Sequence, residues 1–220
     1  LGPERACAQG WISPRAMRNG IIVTVLFACL IGSALLFYAG WELIIVGLLC
    51  VLFAFLYTTG PYPLSYNGWG DVLVIVFFGF VPVGGTYYVQ ALTWTSDTTV
   101  ASLICGLLID TLLVVNNYRD READARSGKR TVIVRFGEKF GRYLYLMLGV
   151  AASLLCFWFF FEGHLFAALL PLLYLIPHVL TWRRMVQIHS GKKLNSILGE
   201  TSRNMLLMGI LLSIGFLIRH

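Results

Sequence analysis

Long apolar segments constrain the fold of this chain more than any other feature of its sequence. A helix crossing a hydrocarbon core of about 30 Å needs roughly 20 apolar residues, because each residue rises about 1.5 Å. Backbone groups in lipid must be hydrogen-bonded within their own segment, which favours helices. We therefore predict an all-α transmembrane helix bundle, one domain over residues 1–220, with seven spans at 19–41, 43–70, 72–96, 98–118, 143–161, 163–182 and 204–218.

The distribution of charge predicts how these spans are oriented. The mean hydropathy of +0.76 excludes an ordinary soluble domain. With seven spans, all of the 17 Lys and Arg residues except Arg219 fall on one side. We expect that side to be cytoplasmic and the membrane to be the cell (inner) membrane. The net charge of +6 then reflects topology and attraction to anionic head groups, and nucleic acid is not an expected partner.

Asp110 is the one ionisable residue deep within a predicted span. Such a carboxyl is costly in lipid and is by default a candidate functional group. No basic residue lies in another span to pair with it. We therefore interpret Asp110 as a protonated residue that is hydrogen-bonded to a neighbouring helix.

The segment 57–70 contains two prolines and three glycines, so it cannot be a regular helix throughout. It has no Lys or Arg, although the predicted topology puts it on the basic side, and it is rich in tyrosine. Two interpretations remain open. The segment is an aromatic lid over a site, or it is an interfacial aromatic belt of the kind common in membrane proteins.

An acidic run follows the fourth predicted span. If the helix continues through it, Asn116, Asp120 and Asp124 lie at i, i+4 and i+8 and share one face. Two carboxylates and an amide in that arrangement suit Mg²⁺, which takes one or two carboxylates and completes its shell with water and phosphate oxygens. Lys129, Arg130 and Arg119 offer counter-charge for a diphosphate. A salt-bridged, solvated helix end is the alternative interpretation.

Several separated motifs carry a family resemblance. Asn116 and the two aspartates, followed by Gly-Lys-Arg-Thr at 128–131, resemble the second aspartate-rich motif of the UbiA-type intramembrane aromatic prenyltransferases. The stretch Asn-Asn-Tyr-Arg-Asp at 116–120 is similar to the branch that prenylates 1,4-dihydroxy-2-naphthoate in menaquinone synthesis. Further motifs of that branch are Gly-Pro at 2–3, Ile-Ser-Pro at 12–14, Gly-Pro-Tyr-Pro-Leu at 60–64, Gly-Trp-Gly-Asp at 68–71, Phe-Phe-Gly at 77–79 and Gly-Thr-Tyr-Tyr-Val-Gln at 85–90.

The resemblance implies a Mg²⁺-dependent enzyme that transfers a polyprenyl group from polyprenyl diphosphate to 1,4-dihydroxy-2-naphthoate, with loss of CO₂ and diphosphate, to give demethylmenaquinone. It implies catalytic roles for Asp120 and Asp124, which would hold the metal together with Asn116. Aromatic rings, including Tyr87 and Tyr88, would stabilise an allylic cation. The residues it implies for substrate binding are Asn116, Asn117, Arg119, Lys129, Arg130, Tyr57 and Tyr62.

The chain departs from the family pattern in two ways. The family fold has nine helices and a first aspartate-rich motif, and this sequence opens at Leu1 just past the place where that motif would lie. We therefore expect an N-terminal truncation and an inactive chain in isolation. The family often has a lysine four residues after the tyrosine matched by Tyr57, and here that position is Pro61.

Three alternatives to this function remain open. A related enzyme of the same family could use another aromatic acceptor, such as 4-hydroxybenzoate. A transporter could bind cations on the acidic run, although the sequence shows no internal repeat of the kind many transporters have. The chain could also be an inactive remnant.

Overall fold

The computed structural model describes residues 4–218, and in that part of the chain the ordered secondary structure is helical. The predicted Gly-Pro motif at 2–3 and Arg219 lie outside the described residues. Seven long helices account for the seven predicted spans of residues 4–218, and between them lie a short α-helix, α5, and a 3₁₀ turn, Leu64–Tyr66. The helices are α1 Pro14–Phe37, α2 Glu42–Thr58, α3 Gly70–Ala91, α4 Ser96–Arg126, α5 Val132–Phe136, α6 Glu138–Phe161, α7 Leu165–Ile188 and α8 Lys192–Leu217.

The bundle prediction is confirmed, with shifts at the helix ends. Six of the helices in residues 4–218 are long and apolar enough to cross a membrane, and α2 is shorter, with 17 residues. The two largest shifts are in α2, which ends at Thr58 and not near residue 70, and in α8, which begins at Lys192 and not near residue 204. The first turns of α8 carry charged residues. The prediction counted only charge-free segments as spans, so it left these turns out. Charged residues do not end a helix at a membrane surface.

Helix α4 is the central element. It packs along the middle of α3 and along α6, and it also contacts α8. Its 31 residues correspond to about 46 Å at about 1.5 Å per residue, more than the roughly 30 Å of a hydrocarbon core. Helices α1 and α2 have no buried residue and form the outer part of the bundle.

The crossing of α3 and α4 depends on glycine. The middle of α3, Ile75–Gly84, is a π-helix that contains Pro82. A Cβ atom at Gly79 would lie 2.5 Å from the Ser102 carbonyl oxygen and 2.8 Å from the Gly106 Cα. The two backbones are therefore in direct contact, as small residues permit between membrane helices.

The basic loops meet at one end of the bundle. Glu138, which begins α6, accepts a hydrogen bond of 2.9 Å from the Tyr118 hydroxyl of α4. Its carboxylate also contacts His189 Nε2 at 3.0 Å and pairs with Arg121 and Arg142. At the other end, the Trp158 indole donates to Asp97 at 2.7 Å. This separation of the two ends agrees with the seven-span topology.

Candidate functional site at the basic end of the bundle

The acidic run is the last part of α4, as predicted from its spacing. The helix continues to Arg126, so Asn116, Asp120 and Asp124 lie one turn apart on a single face. Asp124 is buried, and the Asp120 side chain is about one-fifth exposed. Three oxygen-bearing side chains therefore line up where the helix leaves its apolar section.

Arg119 is enclosed by this run and points into protein. Only 7% of its surface is exposed. Its guanidinium donates to both carboxylate oxygens of Asp120, at 2.9 and 2.5 Å, and to the Asn116 side-chain oxygen at 2.7 Å. It also donates to the Asn195 side-chain oxygen at 2.9 Å, which links α4 to the start of α8. We conclude that Arg119 holds the acidic face in position, because these four hydrogen bonds use four of its five N–H donors within the protein.

Lys129 reaches the same face from the loop that follows. Gly128 has a φ of +78°, which turns the chain back, and the Lys129 amide then donates to the Asp124 carbonyl at 2.9 Å. The Lys129 ammonium lies 3.1 Å from Asp124 Oδ1 and 5.2 Å from the centre of the Tyr66 ring. Each aspartate of the run thus has a cationic partner from this chain.

The aromatic segment docks on this loop. The Arg130 amide donates to the Tyr66 carbonyl at 2.7 Å, and the Arg135 guanidinium donates to the Asn67 carbonyl at 2.6 Å. Gly68 has a φ of +82°, and a Cβ atom there would lie 2.8 Å from the Arg130 carbonyl oxygen. The segment therefore packs against the loop that follows α4, whereas Tyr62 and Trp69 are about half exposed. The lid interpretation stays a prediction.

A cavity of about 380 Å³ lies beneath this docked loop. It brings together four of the predicted site residues, which come from α2, α4 and the following loop. They are Tyr57, Asn116, Asn117 and Lys129. The side chains of Tyr62 and Arg130 do not line the cavity wall, and Asp120 and Asp124 lie one and two turns beyond Asn116 towards the helix end. Tyr88 lies at the opposite end of α3, where its hydroxyl bonds to Glu42.

The wall also contains Asp71, which the sequence pointed to only as the last residue of the Gly-Trp-Gly-Asp motif, without a role. Asp71 Oδ1 is buried and has no hydrogen-bond partner within residues 4–218. The neighbouring Gly70 lies close to both α4 and Tyr57, since a Cβ atom there would lie 3.3 Å from Leu113 Cδ2 and 3.5 Å from the Tyr57 hydroxyl oxygen. A signal was present in the sequence, because Asp71 ends the Gly-Trp-Gly-Asp motif and opens an apolar span.

The interpretation of Asp110 as a hydrogen-bonded structural residue is not supported. Asp110 is 1% exposed, and its Oδ1 atom has no partner in the described part of the chain. It lies close enough to Asp71 for the two carboxyl groups to interact electrostatically. Of the two, only Asp71 lines the cavity, and a buried carboxyl without a partner is expensive.

The oxygen atoms of this face fit a Mg²⁺ site in which the ion keeps water and phosphate oxygens as its other ligands. The face of α4 offers two carboxylates and an amide oxygen, which are the hard ligands that this ion prefers. It does not offer an all-protein cage, because no group of three His, Cys, Asp or Glu side chains within residues 4–218 is placed to hold a metal.

These features define a polytopic helical membrane protein with an acidic and basic site at one end. The family model described as the UbiA prenyltransferase family matches residues 2–213. The chain belongs to this family.

Curated relatives agree with that assignment. The chain is 36% identical to the 1,4-dihydroxy-2-naphthoate octaprenyltransferase of Haemophilus influenzae, over 99% of this chain and 73% of that protein. It is 38% identical to the proteins of the same name from Escherichia coli and Mycobacterium leprae, over 71% and 70% of this chain. In these two cases the match spans about half, 52%, of the relative's length. No solved structure matches the chain.

Proposed function

We propose that this chain is part of a prenyltransferase that transfers a polyprenyl group from polyprenyl diphosphate to 1,4-dihydroxy-2-naphthoate. The observation that carries the proposal is the acidic face of Asn116, Asp120 and Asp124 directly above a cavity that also contains Lys129. Relatives named for this reaction support the choice of acceptor. We further propose that the protein lies in the cell (inner) membrane with its basic end in the cytoplasm.

The donor's diphosphate binds between the acidic face and the following loop. Asp120, Asp124 and Asn116 would hold Mg²⁺, which would supply Lewis-acid stabilisation of the departing diphosphate. Lys129 lies beside Asp124 and adds positive charge. The exposed Arg130 side chain extends from the same loop and is suited to bidentate contact with phosphate oxygens. Arg119 keeps Asp120 and Asn116 in register for this role.

The acceptor binds in the cavity. Its volume of about 380 Å³ falls within the roughly 300–1,000 Å³ of small-molecule sites. The unpartnered Asp71 oxygen accepts a hydrogen bond from an acceptor hydroxyl, and the amides of Asn116 and Asn117 complete the polar wall. The negative charge of the Asp71 carboxylate beside the acceptor hydroxyl increases the electron density of the naphthoate ring. The Tyr57 ring lies beside the same wall and can stabilise positive charge on the allylic carbon.

The reaction is an aromatic substitution in which the prenyl group replaces the carboxylate, which leaves as CO₂. The bond between the allylic carbon and the diphosphate oxygen breaks, and its electron pair leaves with the diphosphate. The ring carbon that carries the carboxylate forms the new carbon–carbon bond, and CO₂ leaves so that its bonding pair restores the aromatic ring. The product is demethylmenaquinone in its quinol form. The apolar bundle keeps water from the allylic cation.

The test is an assay with defined substrates. Membranes that contain the complete gene product are incubated with Mg²⁺, a polyprenyl diphosphate and 1,4-dihydroxy-2-naphthoate, and the product is identified by mass spectrometry together with released CO₂. We expect prenylated, decarboxylated product from this acceptor. If the protein prenylates 4-hydroxybenzoate but not 1,4-dihydroxy-2-naphthoate, the acceptor assignment is wrong. If it forms no product with either aromatic acceptor, the proposal is refuted.

A further inference from the structure

A second cavity lies on the outside of the bundle, in a groove of about 510 Å³ between α7 and α8. It is separate from the proposed active site, which lies between α2, α3 and α4. Its wall contains Arg183 and Arg184 from α7 and Arg203 and Glu200 from α8. The groove is near the basic end of the bundle, because α8 begins beside Asn195, which contacts Arg119.

The groove carries an excess of positive charge. Arg184 pairs with Glu200 at 2.6 Å. Arg183 and Arg203 are exposed, and neither has a carboxylate within salt-bridge distance in residues 4–218. Both arginines lie just outside the predicted spans, at the level of the membrane surface, where basic side chains attract anionic head groups. The groove therefore favours an anion from its surroundings.

The groove becomes less polar with distance from the basic end of the bundle. Thr181 and Asn204 are almost fully buried, and the Asn204 amide donates to the Thr181 hydroxyl at 2.9 Å. This bond and the ion pair of Arg184 fix α7 and α8 as antiparallel neighbours. Pro177 and Leu180, further along α7 from the basic end, form the apolar part of the wall, and Leu180 is 54% exposed.

We infer that this groove binds the phosphate of an anionic phospholipid, such as phosphatidylglycerol. The order of its surfaces matches the order of groups in such a lipid. The two unpaired arginines meet the phosphate, the buried amide and hydroxyl lie at the level of the ester groups, and the apolar wall lies along an acyl chain. Basic pockets between membrane helices at the cytoplasmic surface bind lipid head groups in this way. The inference is independent of the proposed enzymatic activity.

The inference is tested by counting bound lipid. The complete gene product, in a neutral detergent with dilute phosphatidylglycerol and phosphatidylcholine, is analysed by native mass spectrometry. We expect one phosphatidylglycerol to be retained in preference to phosphatidylcholine. The preference should fall about fivefold for each of Arg183→Gln and Arg203→Gln, the factor that corresponds to roughly one basic residue at an anionic surface.

The matched control is the double variant Arg15→Gln and Arg18→Gln, which removes two exposed arginines from α1 near the same membrane surface but outside the groove. It should keep the preference. Competition by millimolar phosphate or diphosphate, without competition by a second anionic lipid, would assign the groove to a soluble anion and overturn the inference. Equal retention of both lipids by the unmodified protein would also overturn it.

Discussion

The contact between α3 and α4 makes Gly79→Ala a sensitive test of the structure. The new Cβ atom would lie 2.5 Å from the Ser102 carbonyl oxygen and 2.8 Å from the Gly106 Cα. Ordinary contacts between such atoms lie near 3.5 Å, so the two helices must separate by about 1 Å. Both neighbours are backbone atoms of a long helix and cannot rotate away.

The expected cost follows from overpacking. Extra atoms in a well-packed core typically cost about 1–3 kcal/mol. For a chain of this size, about 2 kcal/mol lowers the unfolding midpoint by roughly 4–8 °C. The separation also moves Asp71, at the start of α3, relative to Asn116 on α4. A displacement of about 1 Å at a reacting centre can cost about 100-fold in rate, so prenyl transfer should fall more than stability alone explains.

The measurement is a thermal unfolding curve in detergent together with the transfer assay. Gly209→Ala on α8 is the matched control, because a Cβ atom there meets nothing within 4 Å. Alanine is favoured over glycine in a helix by up to about 1 kcal/mol, so the control should melt at or above the unmodified midpoint. If Gly79→Ala melted like this control, the close crossing of α3 and α4 would be wrong.

Three further predictions concern the site, and a fourth concerns the topology. Asp71→Asn should raise the KM for the naphthoate acceptor about tenfold or more, the usual value of a hydrogen bond to a charged group, and leave the KM for the donor unchanged. The exposed Glu122→Gln is its control, and an equal rise in both KM values would contradict an acceptor role. Arg119→Lys keeps the charge but loses the four-bond arrangement, so half-maximal rate should need about tenfold more Mg²⁺, as measured by titration with Mg²⁺; an unchanged requirement would contradict its positioning role. Asp120→Ala and Asp124→Ala should abolish prenyl transfer while membrane insertion stays intact. Single cysteines at positions 127 and 190 should resist labelling from outside intact cells. Ready labelling of either cysteine would overturn the topology.

The sequence predicted the parts of this structure that depend on local physics. Apolar length predicts the spans, and the i, i+4, i+8 spacing predicts the shared face at the end of α4. A serine followed by a proline is a common helix start, and these two residues begin α1, where the Ser13 hydroxyl accepts from the Ala16 amide at 3.2 Å.

The contacts between distant segments could not be predicted in this way. Sequence reasoning treated Arg119 as a ligand for substrate, but its burial depends on Asn195, which is far away in the chain. The same applies to Asp71, whose importance depends on facing Asn116 across a cavity. The π-helix in α3 is stabilised by contact with α4 and has no signature in hydropathy. The predicted catalytic roles themselves remain predictions until the variants are assayed.

The length of α4 has a consequence for the membrane in which the protein works. Its apolar part is about as long as a hydrocarbon core is thick, and the acidic face begins where that part ends. A bilayer only about 3 Å thicker would enclose roughly two more residues of this rigid helix. Those two residues are Asn116 and Asn117, which would be drawn away from water. Tilting could not relieve this, because tilt shortens the thickness that a helix spans, so the bilayer would have to thin around the protein. The protein should therefore be sensitive to acyl-chain length, with its fastest turnover in lipids whose thickness leaves Asn116 at the boundary.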